Sequence, residues 1–300
     1  MLKRRTRYIL IMLILPLCVM AADNAPEICF VKTVGGWYNV TLLAENIWRI
    51  DDHGNDNMYL VVGQDSALLI DTGIGVADLA SCVKELTDLP VIVVNTHGHP
   101  DHSGGNYQFK QIYAHPADFQ DIELFTSPEY HTSEVQQVIG QNPELESVLI
   151  KDISAYNNAR NIPVKAGYVF DLGGRHLEVI ETPGHTPGSI VLLDKENRHL
   201  FTGDNNNTLV WLFLPASLPL EVYLHTLESL NARNDEFDDL YPGHGKVLDK
   251  TFLDDMIACT RQIVDGKCEG EVYNSFVGQA MKCTYGRASV AFDPEKIHSK

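Results

Sequence analysis

The chain has 300 residues, 44% apolar and 21% charged, which excludes a disordered or fibrous polymer and suffices to bury one large core or two smaller ones. Its 23 basic and 40 acidic residues give a formal charge of −17. That excess repels phosphates at long range and argues against a nucleic-acid or anionic-membrane partner.

The first element is a leader. Lys3, Arg4, Arg5 and Arg7 precede an apolar run over residues 8–19, broken by Pro16 and followed by Met20-Ala21-Ala22-Asp23. A basic start, a short apolar stretch and small residues at its end predict a secretory signal peptide over residues 1–21 and a periplasmic or secreted protein. The run is short for a membrane span, so no stable insertion is expected after cleavage. Leu15-Pro16-Leu17-Cys18 invites lipoprotein anchoring, but a leucine before the cysteine fits that signal poorly. Cys29, Cys82, Cys259, Cys268 and Cys283 follow, an odd set that cannot pair fully within one exported chain. Cys268 and Cys283 are candidates for a bridge. No Cys-x-x-Cys spacing occurs, and the cysteines read as structural or inert.

Residues 22–300 read as one domain. Short β-type runs occupy residues 40–43, 47–50, 58–62 and 67–70, with turn residues at 63–65. Asp71-Thr72-Gly73 closes the last of them. A helix is predicted over residues 76–86, with Val76, Leu79, Val83 and Leu86 on one side, then a continuous apolar strand over 91–95, buried on both faces. Residues 119–162 carry no strand pattern and contain helix-like stretches such as 133–139, as an insertion over the scaffold would. Strands return at 164–170, 176–180, 190–193 and 199–201. A helix at 220–230, a strand at 240–241 and a helix at 252–264 complete the pattern. Strands in two batches, each followed by helices, predict two sheets packed face to face with helices outside.

The chemistry concentrates after the strand at 91–95, in Thr96-His97-Gly98-His99-Pro100-Asp101-His102-Ser103-Gly104-Gly105-Asn106. Four metal-competent side chains fall within six residues on a loop at a strand end, where glycines let the backbone turn sharply. Three later segments add a candidate each: His185 in Thr182-Pro183-Gly184-His185-Thr186-Pro187-Gly188, Asp204 in Phe201-Thr202-Gly203-Asp204, and His244 in Tyr241-Pro242-Gly243-His244-Gly245. A lone His beside Gly is usually structural or merely exposed. Here every candidate follows a predicted strand, as convergence on one edge requires.

This order of motifs, over roughly residues 40–264, resembles the metallo-β-lactamase superfamily, whose early Asp-Thr-Gly element is matched at Asp71-Thr72-Gly73. The resemblance implies an α+β fold, a four-layer αβ/βα sandwich with a two-metal site at the edge between the sheets. It implies that His97, His99 and His185 hold one metal, that Asp101, His102 and His244 hold the second, that Asp204 bridges them, and that Asp71 supports the ligands. Five imidazoles and two carboxylates without thiolate suit two Zn2+, with iron or manganese as alternatives. Two such ions sharing a water lower its pKa and generate hydroxide near neutral pH, with Asp101 placed to orient it or to pass a proton to the leaving group.

An aspartate at 204 is similar to glyoxalase II, acyl-homoserine lactonases and tRNA-processing nucleases, whereas one subclass of zinc β-lactamases has Cys there. The leading expectation is therefore an exported binuclear zinc hydrolase acting on a small carbonyl compound: lactone, thioester, ester or amide, β-lactams included. A phosphodiesterase on small substrates and a single-iron sulfur dioxygenase are the alternatives. The apolar run at 209–215 starts five residues after Asp204 and reads either as core or as a pocket wall, with Trp211 and Phe213 against an apolar part of the substrate. The insertion is expected to reach over the open edge and complete that pocket. His53, His115, His131, His176, His199 and His225 read as solvated or structural.

Overall fold

In a computed structural model, residues 31–153 and 159–299 are described; the segment expected to be a signal peptide and Cys29 lie outside them. Strands Val31–Val34, Tyr38–Ala44, Ile47–Asp51, Asn57–Val62 and Ala67–Ile70 pair in sequence order as an antiparallel meander. Short turns between β-branched and aromatic runs favour this hairpin pairing. The same sheet then grows by three parallel strands, Val91–Val94, Gln111–Ala114 and Arg160–Pro163. Parallel pairing demands crossover connections, and those connections carry the site loop and the helices of the insertion.

The second sheet contains Val169–Asp171, His176–Glu181, Ile190–Asp194, His199–Gly203, Asp239–Pro242 and Leu248–Asp249. Its one parallel pair joins His199–Gly203 to Asp239–Pro242 across the helix Leu220–Asn231. The two sheets bury Tyr59, Val61, Leu68, Ile70, Leu177, Val179, Leu192 and Phe201 in one apolar cluster. Outside the first sheet, Leu79, Val83, Val135 and Val138 of two helices cluster with Val40, Leu60 and Leu69. Outside the second, Tyr223, Leu227 and Leu230 join Phe252, Met256, Cys259 and Ile263, spaced three or four apart on helices Leu220–Asn231 and Phe252–Val264. The layers run helix, sheet, sheet, helix, the αβ/βα sandwich anticipated from the strand batches.

Several expected boundaries shift. The helix expected over 76–86 contracts to Leu79–Lys84, begun by Asp78, whose side chain accepts from Ser81 N at 2.9 Å. The strand at 91–95 ends at Val94, and only Val93 and Val94 are buried. The strand expected over 164–170 is not continuous: Arg160–Pro163 lies on the first sheet and Val169–Asp171 on the second, with Gly167 at φ +82° in the connection. The insertion is helical over Phe119–Phe125 and Pro128–Gln141, but its end belongs to the first sheet.

A third sheet was not anticipated. It orders Leu209–Leu212, Ala288–Phe292, Gly278–Tyr285 and Glu271–Ser275 side by side. Its hairpin is polar enough to read as loop, and its parallel pair joins segments nearly eighty residues apart in sequence. Cys268 and Cys283 are disulfide-bonded, closing the base of this hairpin, while Cys82 and Cys259 are buried thiols.

Phe201 lies at the centre of the inter-sheet layer, its ring 5.4 Å from that of Tyr59 and 4.9 Å from that of Tyr241. Truncation to Ala leaves a cavity between the sheets, and Phe201→Ala is expected to cost about 3–5 kcal/mol. Urea unfolding of wild type and variant measures it. A loss below about 1 kcal/mol would show that the layer collapses around the gap.

Candidate metal centre

Each candidate donor leaves the end of a strand. Val91–Val94 delivers His97, His99, Asp101 and His102, the last two on a short turn of helix opened by Pro100. His176–Glu181 delivers His185, His199–Gly203 delivers Asp204, and Asp239–Pro242 delivers His244. Because the sheets face each other, these ends meet at one edge. Two glycines make the approach possible. Gly203 sits at φ +48°, where a Cβ would meet Thr96 Oγ1, and a Cβ on Gly243 would meet the Asp204 carboxylate and the His102 ring.

All seven side chains converge. His97, His99 and His185 form one group and Asp101, His102 and His244 another, while Asp204 shares a third with His97 and His102. In the first group His99 Nδ1 lies 3.1 Å from His97 Nε2 and 2.9 Å from His185 Nε2. In the second, His244 Nε2 lies 3.2 Å from Asp101 Oδ2. Asp204 turns one oxygen to each side: Oδ1 is 3.3 Å from both His102 Nε2 and His244 Nε2, and Oδ2 is 3.6 Å from His185 Nε2.

For three of the five rings the far side fixes which nitrogen faces the centre. His102 Nδ1 donates to Asp71 Oδ2 at 3.0 Å, and His185 Nδ1 donates to the Trp211 carbonyl at 2.7 Å. His97 Nδ1 faces Thr96 Oγ1 at 3.1 Å, and that hydroxyl donates to Asp71 Oδ2 at 2.8 Å. Asp71 thereby orients two imidazoles on opposite sides of the centre, the support that carboxylates commonly give to metal-binding histidines. It does so from φ +66°, a strained conformation for a residue with a Cβ, held by Thr96 N donating to Oδ1 at 2.7 Å.

The arrangement fits metal ions and little else. His102 Nε2 and Asp204 Oδ1 are buried without a hydrogen bond of acceptable geometry despite their proximity, because both aim at a common point. Burial and the neighbouring imidazoles lower the pKa of His97 and bring His99 down to about 3; burial also lowers His185. Three neutral rings thus face one another, lone pairs available. On the other side burial opposes charge on His102 and His244, but Asp101 and Asp204 outweigh it and raise both. Cations held by these two groups would satisfy the crowded lone pairs and carboxylates together. The open side is at Asp101 and His244, whose side chains are 32% and 35% exposed.

The backbone of Trp211 lies directly behind the centre, its carbonyl holding the outer nitrogen of His185. The run at 209–215 is neither all core nor all wall: Val210 and Leu212 point into the outer core, whereas Trp211 and Phe213 are half-buried with ring centroids 5.3 Å apart. From the insertion, burial pushes the Glu134 carboxyl of helix Pro128–Gln141 above its ordinary range, against the hydrogen bond from Tyr130, and the charge of Asp101 adds to it. The remaining histidines stay outside the centre. His115 pairs with Glu181 at 3.2 Å, His131 is buried with Nε2 2.6 Å from the Ile150 carbonyl, and His53 stacks on Trp37.

Other contributors escaped the motif reading. Buried Asp118 accepts from Gly98 N at 2.9 Å and Thr186 Oγ1 at 2.6 Å through Oδ2, and from Gly188 N at 2.7 Å through Oδ1. It ties the loop of His97 and His99 to the loop of His185. Asn57 N donates to the Gly243 carbonyl at 2.6 Å, its side chain to the Gly245 carbonyl at 3.0 Å, and Tyr59 OH to the Pro242 carbonyl at 2.8 Å, anchoring the His244 loop. An aspartate after His115-Pro116 reads as an ordinary helix start, so only the fold reveals the clamp.

Asp118→Asn replaces one acceptor with a donor facing N–H groups. It is expected to weaken divalent-metal binding by the His97, His99 and His185 group 10- to 100-fold. Competition with a chromogenic chelator reads the affinity; an unchanged value would reduce Asp118 to a fold residue.

Residues 51–244 match the metallo-beta-lactamase superfamily. The human acyl-coenzyme A thioesterase MBLAC2 is 30% identical, over 69% of this chain and 81% of that protein. The probable metallo-hydrolase MJ0888 of Methanocaldococcus jannaschii is 28% identical, over 68% of this chain and 95% of that one. Among solved structures, a metallo-beta-lactamase from Pontibacter korlensis superposes with a TM-score of 0.53 at 20% identity, covering 75% of this chain and 99% of the other. With its sandwich, its strand-end donors and these relatives, the chain belongs to the metallo-β-lactamase superfamily and is a metal-dependent hydrolase.

Proposed function

We propose that the protein hydrolyses acyl thioesters with two divalent ions, zinc being the pair its donors suit best. His97, His99 and His185 would hold one ion, Asp101, His102 and His244 the other, with Asp204 between them. The observation that carries this is the convergence of seven side chains, three of whose rings, His97, His102 and His185, have their outer nitrogens already held. When bound, such a pair supplies Lewis acidity toward a carbonyl oxygen and acidity to water. Asp71, Thr96 and the Trp211 carbonyl keep the imidazoles in the ligating tautomer. Asp101, on the open side, takes the proton from the attacking water and returns it to the leaving sulfur as the C–S bond breaks. The thioester is chosen over lactone, ester or amide because the human relative carries that activity in its name and because aromatic side chains stand at the strand behind the centre.

Export belongs to the proposal. It is supported by the leader pattern at residues 1–21 and by the disulfide Cys268–Cys283, a bond kept in oxidising compartments. Among the described residues no helix is long and apolar enough to cross a membrane.

The test is turnover of a thioester, lactone, β-lactam and phosphodiester panel before and after dialysis against a chelator. Thioester hydrolysis that disappears with the metal and returns with zinc is expected. Preference for the phosphodiester, or oxygen consumption with a single iron per chain, would overturn the reading. His185→Ala removes a ligand from one ion and Asp204→Ala from both. Elemental analysis is expected to find about one tightly held ion in the first variant and a loosened pair in the second. Two tightly held ions in the Asp204→Ala protein would contradict the bridge.

A further inference from the structure

The third sheet has two faces of different character. Val210, Leu212, Cys283, Val290 and Phe292 turn toward helix Phe252–Val264 in the outer core. On the other face Trp211, Ala291, Ala280 and Tyr273 share rows across the strands, with Trp211 beside Ala291 and Tyr273 beside Ala280. Both alanines are buried, at 0% and 5% exposure, beneath a face that Trp211 and Tyr273 share with Lys282, which pairs with Ala291 across the strands and holds its ammonium over the Tyr273 ring. The Trp211 ring lies 6.2 Å from Tyr273 and 5.5 Å from Phe276, and Phe213 lies 6.4 Å from Tyr273. Phe276 and Val277 form the two-residue tip of the hairpin, and Phe276 is 91% exposed. A phenylalanine left in water at a turn that any polar residue would fill is costly unless something apolar covers it.

The position of this stripe names the occupant. Its first residue is Trp211, whose backbone carbonyl accepts from the outer nitrogen of His185, so the strand passes directly behind one donor of the centre and the aromatic rings run from that strand to the hairpin tip. A molecule with its carbonyl at the metals and an apolar tail lies along them. An anionic lipid surface is disfavoured by a formal charge of −17. We propose that Trp211, Phe213, Tyr273 and Phe276 bind the straight acyl chain of the substrate, which makes the protein selective for medium- and long-chain acyl groups, and that the disulfide-closed hairpin is its specificity arm. The proposal rests on the carbonyl-hydrolase reading above. Flat rings over small residues offer a shallow track rather than a closed tunnel, so each added methylene loses part of its water.

Thioesters of one thiol with butanoyl, octanoyl and dodecanoyl groups test it. In the wild type kcat/KM is expected to rise about twofold per methylene, roughly half the gain of full burial. Phe276→Ser is expected to lower the dodecanoyl-to-butanoyl ratio about tenfold, and Tyr285→Ser, on the same hairpin beyond the aromatic stripe, to leave that ratio unchanged. A second readout does not depend on turnover. Sodium dodecanoate below its micellar range, titrated into the metal-loaded protein, is expected to change the fluorescence of Trp211, with the change lost in Trp211→Phe and Kd raised about tenfold in Phe276→Ser. Dodecanoate binding that depends on Phe276 without thioester turnover would reject the thioester and keep the acyl track. A ratio and a Kd both indifferent to Phe276→Ser would overturn the track, as would light scattering showing that the same substitution only turns a dimer into a monomer.

Discussion

Three desolvated imidazole nitrogens, two of them within 3.1 Å of the third, cannot all be satisfied by hydrogen bonds to one another. The outer nitrogens of His97 and His185 are taken by Thr96 and the Trp211 carbonyl, so the inner ones are left facing one another as lone pairs. On the other side of Asp204 two carboxylates crowd two more imidazoles. Much of the local structure exists to hold these groups in this arrangement until a cation resolves it. The neutral rings of the first group have no protons to give up, whereas the second group is held by its own ion pairs.

The scaffold supports that demand by tying strand ends together across sheets. Asp71, from the first sheet, reaches His102 directly and His97 through Thr96. Asp118 joins the loops of His97, His99 and His185, and Asn57 with Tyr59 anchors the loop of His244. Behind them the layer around Phe201, Tyr59 and Leu192 holds the sheets in register. The strained backbone at Asp71 persists because three hydrogen bonds to one carboxylate over-determine it. Metal geometry and fold stability are thus set by overlapping residues.

In the proposed reading the strand that supports a candidate ligand also serves substrate selection. Within Leu209–Leu212, alternate side chains serve the outer core, the Trp211 carbonyl serves His185, and the Trp211 ring opens the aromatic stripe. A metal centre of this type polarises many carbonyls alike. Discrimination therefore falls to groups that touch the rest of the molecule, the part proposed above for the aromatic stripe.

The donor residues, their order and their place after strands were readable in the sequence because each is a local pattern: a β-type run, a glycine or proline turn, then a His or Asp. The layer order followed from the two batches of strands, and helix Phe252–Val264 from the spacing of its apolar residues. Other features had no local signature. Asp118 looks like a helix start until Gly98 and Gly188 are brought to it, and Phe276 looks like any loop residue until Trp211 lies beside it. The strand Arg160–Pro163 and the polar hairpin lacked the hydrophobic alternation that marks a strand, since their partners rather than their own composition make them strands. Periodicity along a chain reports which face a residue turns inward. Which distant residue meets it there is decided only when the sheets pack.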